Sequence, residues 1–129
     1  RNEGTMPLRI IVADDDEDVL SLLEEIMRDS GYAVTAVTNG TAVLDAFTDQ
    51  PFDVVVTDMR MPSGDGVTVL DGVRRLRPAT PVIVITGYSD YDEAALRAKG
   101  AFCCLRKPLR HLADLPTAVT DALGTGRDA

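Results

Sequence analysis

Apolar and polar positions along the chain form five repeats of one unit, a short apolar run followed by an apolar face with helical spacing. The first run, Leu8 to Ala13, is almost continuously apolar, as expected for a strand buried on both faces of a parallel sheet. After it, apolar residues recur at positions i, i+3, i+4 and i+7, which indicates one face of a helix: Val19, Leu22, Leu23 and Ile26. The first unit is therefore a strand followed by a helix.

The same unit recurs four more times. The later predicted strands cover Tyr32 to Val37, Asp53 to Thr57, Val82 to Ile85 and Ala101 to Leu105. The later predicted helices have these inward positions: Val43, Ala46 and Phe47; Val69, Leu70, Val73 and Leu76; a short alanine-rich helix over about Asp92 to Ala98; and Leu115, Ala118, Val119, Ala122 and Leu123. Pro78 ends the third helix. Pro116 is tolerated in a first turn, so the last helix begins near Asp114.

Five strand-helix repeats in 129 residues predict a single α/β domain. Right-handed crossovers then favour a doubly wound, flavodoxin-like fold, with a five-stranded parallel sheet in the order 2-1-3-4-5 and five helices on its two faces. We expect residues 7–123 to form this domain. Residues 1–6 are predicted to be a disordered tail or an expression-vector remnant, and residues 124–129 a disordered C-terminal tail.

Composition narrows the class of function. The formal net charge is −8, which argues against direct binding of nucleic acid or an anionic membrane and leaves a partner protein open. No apolar run approaches the roughly 20 residues that span a bilayer, and the first residues do not form a signal peptide, so a cytoplasmic protein is expected. Two adjacent cysteines, Cys103 and Cys104, give neither a disulfide framework nor a zinc site.

Polar residues whose side chains could bind a metal or take part in catalysis follow four of the predicted strands. In an open α/β sheet, ligands bind beyond the carboxyl ends of the strands, where the strand order reverses, which here is between the first and third strands. Asp14 and Asp15 end the first strand, and Asp58 ends the third. Thr86 follows the fourth strand, and Lys107 follows the fifth. We expect all five side chains to lie on one edge of the sheet.

Electrostatics predicts what this cluster binds. Two carboxylates about 4 Å apart repel by roughly 4 kcal/mol at an effective dielectric of 20, so three of them require cations. Lys107 supplies one positive charge, and Mg²⁺, which prefers oxygen ligands, would supply two more. Asp14, Asp15 and Asp58 are the candidate metal ligands, with the backbone carbonyl of Arg60 as a further one. The neutralised site can then receive an anionic phosphoryl group.

Phosphoryl transfer requires mainly positioning and charge neutralisation, so each residue type has a task. Asp58 is the candidate nucleophile, which forms an acyl phosphate. Lys107 is expected to pair with the phosphoryl oxygens, and the Thr86 hydroxyl to donate a hydrogen bond to one of them after transfer. Pro108 is expected to fix the turn that directs Lys107, through a cis Lys107-Pro108 bond.

These residues resemble the receiver domain of two-component response regulators. The segments that carry the resemblance are Ile11 to Asp15, Thr57 to Gly66, Ile85 to Gly87 and Lys107-Pro108, within a match that covers about Leu8 to Leu123. The resemblance implies an acidic pair, a central phosphoacceptor and a Thr and Lys at these places. It also implies Mg²⁺ dependence, phosphate taken from a phosphohistidine on a histidine kinase or histidine phosphotransfer protein, and slow self-catalysed hydrolysis.

One position departs from the family pattern. The family usually has Tyr or Phe three residues before the Lys, where the ring moves inward as the Thr or Ser hydroxyl shifts, and this chain has Cys104 there. A thiol brings neither the buried area nor the steric bulk of a ring. Phe102, expected on the same side of the strand, is the candidate substitute, so Thr86, Cys104 and Phe102 form the predicted switch.

Three other functions can be weighed from the sequence. A phosphohydrolase of the haloacid dehalogenase type would use Asp14 and Asp16, but no acidic pair follows Lys107 to complete its metal site. Flavodoxin-like cofactor capture would need a hydroxyl- and glycine-rich phosphate loop where the acidic run Asp14 to Asp18 stands. A receiver fold that serves only as an interaction scaffold remains open because of Cys104.

Overall fold

The structure, a computed structural model, describes residues 7–87 and 92–127 and contains the predicted five strand-helix units. The elements, in chain order, are β1 (Arg9–Ala13), α1 (Glu17–Asp29), β2 (Ala33–Val37), α2 (Gly40–Asp49), β3 (Val54–Asp58), α3 (Gly66–Leu76), β4 (Val82–Thr86), α4 (Glu93–Ala98), β5 (Ala101–Arg106) and α5 (Asp114–Arg127). All strand pairs are parallel, and the sheet order is β2-β1-β3-β4-β5, which confirms the predicted topology.

The sheet separates two apolar clusters. On one face, residues of β1, β3 and β4 pack with those of α2, α3 and α4, and their buried members include Ile11, Phe47, Val55, Leu70 and Leu96. On the other face, strand residues pack with α1 and α5, and the buried members include Ile10, Leu23, Val56, Ile83 and Val119. Every residue of β3 and β4 is buried, which explains why these strands read as continuous apolar runs rather than as alternating ones.

Short polar side chains fix the start of four helices. The side chains of Asp16, Asn39, Asp65 and Asp92 each accept a hydrogen bond from a backbone N–H in the first turn of α1, α2, α3 and α4, respectively. This capping satisfies donors that have no partner within the helix. It also fixes the residue at which each of these helices begins, at the carboxyl edge of the sheet.

The strands β4 and β5 pair with an irregular register. Val82 is opposite Ala101, but the next residue, Ile83, is opposite Cys103. Phe102 is thus an extra residue on β5, which is the arrangement of a β-bulge. The carbonyl of Phe102 accepts a hydrogen bond of 2.7 Å from the Arg97 side chain in α4.

The C-terminal boundary of the domain differs from the prediction. The helix α5 continues to Arg127, so residues 124–127, expected in a disordered tail, are helical. Glycine weakens a helix by about 1 kcal/mol relative to alanine, but a formed helix can continue through single glycines. The predicted tail of residues 1–6, and residues 128–129, lie outside the described residues.

Two predicted inward positions are largely exposed. Leu22 in α1 is 39% exposed, and Leu76 at the end of α3 is 47% exposed. In the part of the chain that the structure describes, no helix has the length and apolar character needed to cross a bilayer.

Candidate functional site

Asp14 follows the last residue of β1 and is completely buried. Its Oδ1 accepts a hydrogen bond of 2.9 Å from the backbone N–H of Asp16, and its backbone N–H donates to the carbonyl of Val37 at the end of β2. Asp15 is exposed toward the cleft, whereas Asp16 caps α1. The predicted acidic pair therefore consists of one buried and one exposed carboxylate. The third acidic residue, Asp16, stabilises the start of α1.

Asp58 is the last residue of β3 and is 6% exposed. Its Oδ1 accepts a hydrogen bond of 2.9 Å from the backbone N–H of Met59. The hydroxyl of the preceding residue, Thr57, donates to the Asp58 backbone carbonyl at 2.8 Å. The carboxylate is thus held at the floor of the cleft, between β1 and β4, which are the two neighbours of β3 in the sheet.

Lys107 lies directly after β5 and reaches across the edge of the sheet to both buried carboxylates. Its Nζ is 2.6 Å from Asp14 Oδ2 and 3.3 Å from Asp58 Oδ1. Its backbone N–H donates to the carbonyl of Thr86 at 3.0 Å, and the peptide bond to Pro108 is cis, as predicted. The backbone contact with the end of β4 and the two carboxylates together fix the position of the amine.

Thr86 ends β4 and is 5% exposed. The next residue, Gly87, lies against Lys107, since a Cβ at that position would be 3.4 Å from Lys107 Cβ. Thr86 is therefore in the strand next to β3, one residue beyond Ile85, the register partner of Asp58. The structure brings all five predicted strand-end residues to the same edge of the sheet.

Burial and charge shift the protonation equilibria of the two central groups. Burial, and secondly the charge of Asp14, raise the pKa of Asp58, and the nearby Lys107 only partly offsets this. Burial acts to lower the pKa of Lys107, but its hydrogen bond with Asp14 and the charges of both carboxylates outweigh this and leave the pKa above the ordinary value. The two carboxylates are therefore incompletely neutralised by one amine.

The three carboxylates meet the requirements of a hard divalent cation. One carboxylate oxygen from each of Asp14, Asp15 and Asp58 lies within 4.8 Å of the other two. Ligands at about 2.1 Å from an octahedral ion lie about 3 to 4 Å apart, so small movements or one bridging water would complete the set. With Lys107, the cluster has a formal charge of −2 and an all-oxygen donor set, which suits Mg²⁺.

The cleft around the carboxylates is open to solvent. Its volume is about 570 Å³, and it is lined by Asp14, Asp15, Asp16, Val19, Asp58, Arg60, Gly87 and Lys107. Arg60, whose carbonyl was the fourth predicted metal ligand, is exposed between two buried methionines, Met59 and Met61. Arg60 therefore lies at the wall of the cleft.

The prediction that Phe102 lies on the same side of β5 as Cys104 is wrong. Cys104 packs against the cluster on the face of α2, α3 and α4, whereas Phe102 packs on the opposite face, with α1 and α5. The bulge at Phe102 is the physical reason, because one extra residue breaks the two-residue alternation of side chains along a strand. Phe102 cannot replace an aromatic residue at position 104.

Sequence reasoning assigned no role to Gly66, at the start of α3. A Cβ on this residue would lie 2.9 Å from the sulfur of Met59 and 3.1 Å from the carbonyl of Asp58. Its backbone N–H donates to the Met59 carbonyl at 2.8 Å. The pair Asp65-Gly66 before an apolar helical face was the available signal, because Asp caps a helix and Gly permits close approach of two backbones.

Comparison with known proteins identifies the family. The family model described as "Response regulator receiver domain" matches residues 10–120, and the chain therefore belongs to this family. It is 38% identical over 98 residues to the DNA-binding transcriptional regulator NtrC of Klebsiella pneumoniae, covering 75% of this chain and 21% of that protein. It is also 38% identical over 101 residues to the transcriptional regulatory protein ZraR of Escherichia coli, covering 78% of this chain and 23% of that protein. The chain thus spans about a fifth of the length of these relatives.

Solved structures agree with this assignment. A response regulator receiver domain protein from Clostridium thermocellum matches with a TM-score of 0.86 and 32% identity, over 93% of this chain and 97% of that one. The beryllofluoride-activated NtrC4 receiver domain dimer matches with a TM-score of 0.84 and 30% identity, over 92% and 98% of the two chains. The protein is a receiver domain of the two-component signalling class, and neither the phosphohydrolase nor the scaffold alternative is favoured.

Proposed function

We propose that Asp58 accepts a phosphoryl group from a phosphohistidine on a histidine kinase or histidine phosphotransfer protein. A carboxylate oxygen of Asp58 attacks phosphorus and forms an O–P bond. The N–P bond to the donor imidazole breaks, and its electron pair remains on the imidazole nitrogen. The observation that supports this role is the placement of the Asp58 carboxylate at the floor of an open cleft, within 3.3 Å of the Lys107 ammonium.

Charge neutralisation is the main contribution that the site can make. Mg²⁺, when bound by Asp14, Asp15, Asp58 and the Arg60 carbonyl, supplies positive charge that lowers the repulsion between the carboxylates and the incoming phosphoryl oxygens. Lys107 already lies beside Asp58 and can turn toward a phosphoryl oxygen without leaving the cleft. The buried carboxylate of Asp14 keeps Lys107 in place through the 2.6 Å ion pair.

Release of the phosphate uses the same arrangement. The cleft is open at Asp15 and Arg60, which are both exposed, so water can reach phosphorus on the side opposite the Asp58 oxygen. Attack by water forms a new O–P bond, breaks the bond to Asp58 and returns the carboxylate. We infer that the domain catalyses its own phosphorylation and dephosphorylation and acts on no other substrate.

The conformational response is proposed to begin at Thr86. This residue is buried at the end of β4, next to β3, where its hydroxyl can donate to a phosphoryl oxygen on Asp58. Cys104 is half-buried on the side of α4, so movement of Thr86 would be transmitted to α4 and β5 without an aromatic ring. The surface of α4, β5 and α5 is the proposed face for a partner or output domain.

The acceptor assignment is tested by intact-mass measurement. Wild-type protein incubated with phosphoramidate, whose N–P bond mimics phosphohistidine, and Mg²⁺ is expected to gain the mass of one phosphoryl group. Asp58→Asn should gain none, and Asp71→Asn, which removes an exposed carboxylate from α3, should behave as wild type. Absence of a gain in wild type would favour the interaction scaffold, and an equal gain in Asp58→Asn would move the acceptor elsewhere.

A further inference from the structure

The loop that follows Asp58 makes a second contact that the site described above does not include. Residues 59–65 connect β3 to α3, and the tip of this loop lies against the N-terminus of α2. The backbone N–H of Gly40 donates to the Gly64 carbonyl at 2.8 Å. Thr41 donates to the Ser63 carbonyl twice, from its backbone N–H at 3.1 Å and from its Oγ1 at 2.7 Å. We call these four residues the α2 clasp.

The clasp requires close approach of two backbones. A Cβ on Gly40 would lie 2.5 Å from the Gly64 carbonyl oxygen, and a Cβ on Gly64 would lie 2.8 Å from the Thr41 nitrogen. Ser63 and Gly64 both have positive φ, 54° and 106°, so the chain takes two consecutive left-handed residues at the tip. Ser63 adopts a conformation that is unfavourable for a residue with a Cβ, and such a conformation persists where the surrounding contacts determine it.

The N-terminus of α2 is well suited to hold these carbonyls. The first N–H groups of a helix have no partner inside the helix and carry partial positive charge. The N–H of Ala42 donates to the Asn39 side chain at 2.8 Å, whereas the two N–H groups before it, on Gly40 and Thr41, donate to the loop. The loop carbonyls therefore take the place that an anion or a capping group takes at other helices.

The same loop is also tied at its base. The Met59 N–H donates to Asp58 Oδ1 at 2.9 Å, and the Gly66 N–H donates to the Met59 carbonyl at 2.8 Å. Met59 and Met61 are buried at 1% and 9% exposure. Arg60 thus lies between a base fixed to the acceptor and a tip fixed to α2.

We propose that the α2 clasp positions the Arg60 backbone carbonyl for Mg²⁺, and that Thr41 is a positioning residue for phosphoryl transfer. This inference rests on the proposed function, because it concerns a ligand of the same metal. It adds to that function a dependence on α2, which contributes no group to the cleft. Removal of a group that holds a metal ligand in place lowers metal affinity, even though that group does not touch the ion.

The test uses Thr41→Val, which removes the Oγ1 donor and keeps the shape of the side chain. Thr48→Val is the matched control, because Thr48 is also exposed on α2 and donates its Oγ1 to a backbone carbonyl, that of Asp45, at 2.6 Å, away from the loop. We expect Thr41→Val to weaken Mg²⁺ binding, measured by calorimetry, by about tenfold. Thr41→Ser keeps the donor and should keep the wild-type affinity.

Phosphorylation kinetics add a readout that a general loss of stability would not change. With phosphoramidate, the Mg²⁺ concentration for half-maximal rate should rise in Thr41→Val, while the rate at saturating Mg²⁺ should approach that of wild type. Gly40→Ala, which places a methyl group against the Gly64 carbonyl, should show the same pattern more strongly. Its control is Gly124→Ala, because among the described residues no atom outside the surrounding turns of α5 lies within 4 Å of the added Cβ.

Failure of the positioning role and failure of the proposed function give different results. Equal Mg²⁺ affinity in Thr41→Val and Thr48→Val, together with wild-type affinity in Gly40→Ala, would overturn the positioning role even if wild type is phosphorylated. A wild-type protein that binds Mg²⁺ but gains no phosphoryl group would overturn the proposed function, and the calorimetric comparison would still decide whether the clasp supports the metal site.

Discussion

The Lys107 Nζ atom lies 2.6 Å from Asp14 Oδ2, closer than its 3.3 Å distance to Asp58 Oδ1. Asp14 is completely buried, whereas the Lys107 side chain is 23% exposed, so the amine is the nearest counter-charge of a buried carboxylate. Burial, and secondly the charge of Asp14, raise the pKa of the Asp58 carboxyl group, and the more distant Lys107 amine offsets this only in part.

Lys107→Ala should destabilise the protein in the absence of divalent cations. The change leaves the Asp14 carboxylate buried without a counter-charge, and we expect a loss of about 2 kcal/mol, below the cost for a fully buried pair because Lys107 is partly exposed. Urea unfolding in the presence of EDTA measures this loss. Lys99→Ala, at an exposed position after α4, is the control. Unchanged or increased stability in Lys107→Ala would contradict the account of the ion pair.

Asp58→Asn should become more stable relative to wild type as the pH rises. The pKa of Asp58 is raised above its ordinary value of 3.8, chiefly by burial and then by Asp14, so the folded state binds this proton more tightly than the unfolded state. The resulting stabilisation is fully present below pH 3.8 and is lost as the pH rises through the folded-state pKa. The amide side chain in the Asp58→Asn variant does not titrate, so the variant has no such loss.

The measurement is urea unfolding in EDTA at about pH 3 and about pH 7, on either side of the expected loss, for wild type and Asp58→Asn. Asp71→Asn serves as a control for removal of an exposed charge. The free energy of unfolding of Asp58→Asn, measured relative to that of wild type, should be larger at the higher pH than at the lower pH. A shift in favour of wild type would mean that the Asp58 carboxylate is stabilised by its surroundings.

Cys104 should react slowly with alkylating reagents at neutral pH. Burial, and secondly the charge of Glu93, raise the pKa of this thiol from 9.0 to about 11, which reduces its thiolate fraction about a hundredfold. Cys103→Ser leaves Cys104 as the sole thiol, and its rate of reaction with iodoacetamide should still be increasing above pH 9.0. A rate that levels off near pH 9.0 would show that Cys104 is in a solvent-like environment.

Phe102→Ala should reduce stability without slowing phosphorylation. Phe102 packs with α1 and α5 on the face opposite Cys104, so its loss removes apolar contacts there, at a cost of about 2 kcal/mol for a half-buried ring. Urea unfolding and the rate with phosphoramidate measure the two effects. A slower phosphorylation rate with unchanged stability would show that Phe102 takes part in the conformational switch.

The periodicity of apolar residues was sufficient to predict the fold, because each of the five units buries an apolar strand and the apolar face of a helix. The positions of Asp14, Asp58, Thr86 and Lys107 were also predictable, since parallel strands bring their carboxyl ends to one edge. The bulge at Phe102 was not, because Ala101 to Leu105 is apolar throughout and alternation is invisible in such a run. The α2 clasp was missed for a different reason: it joins residues 22 or more positions apart through backbone groups.

The central claim, that Asp58 is the acceptor, is tested most directly by locating the acyl phosphate. Protein treated with phosphoramidate and Mg²⁺ is reduced with borohydride, which converts an aspartyl phosphate to homoserine, and is then digested and sequenced by mass spectrometry. We predict homoserine at position 58, dependent on both the donor and Mg²⁺. Homoserine in place of Asp14 or Asp15, or none at position 58 in protein that has gained phosphoryl mass, would contradict the account.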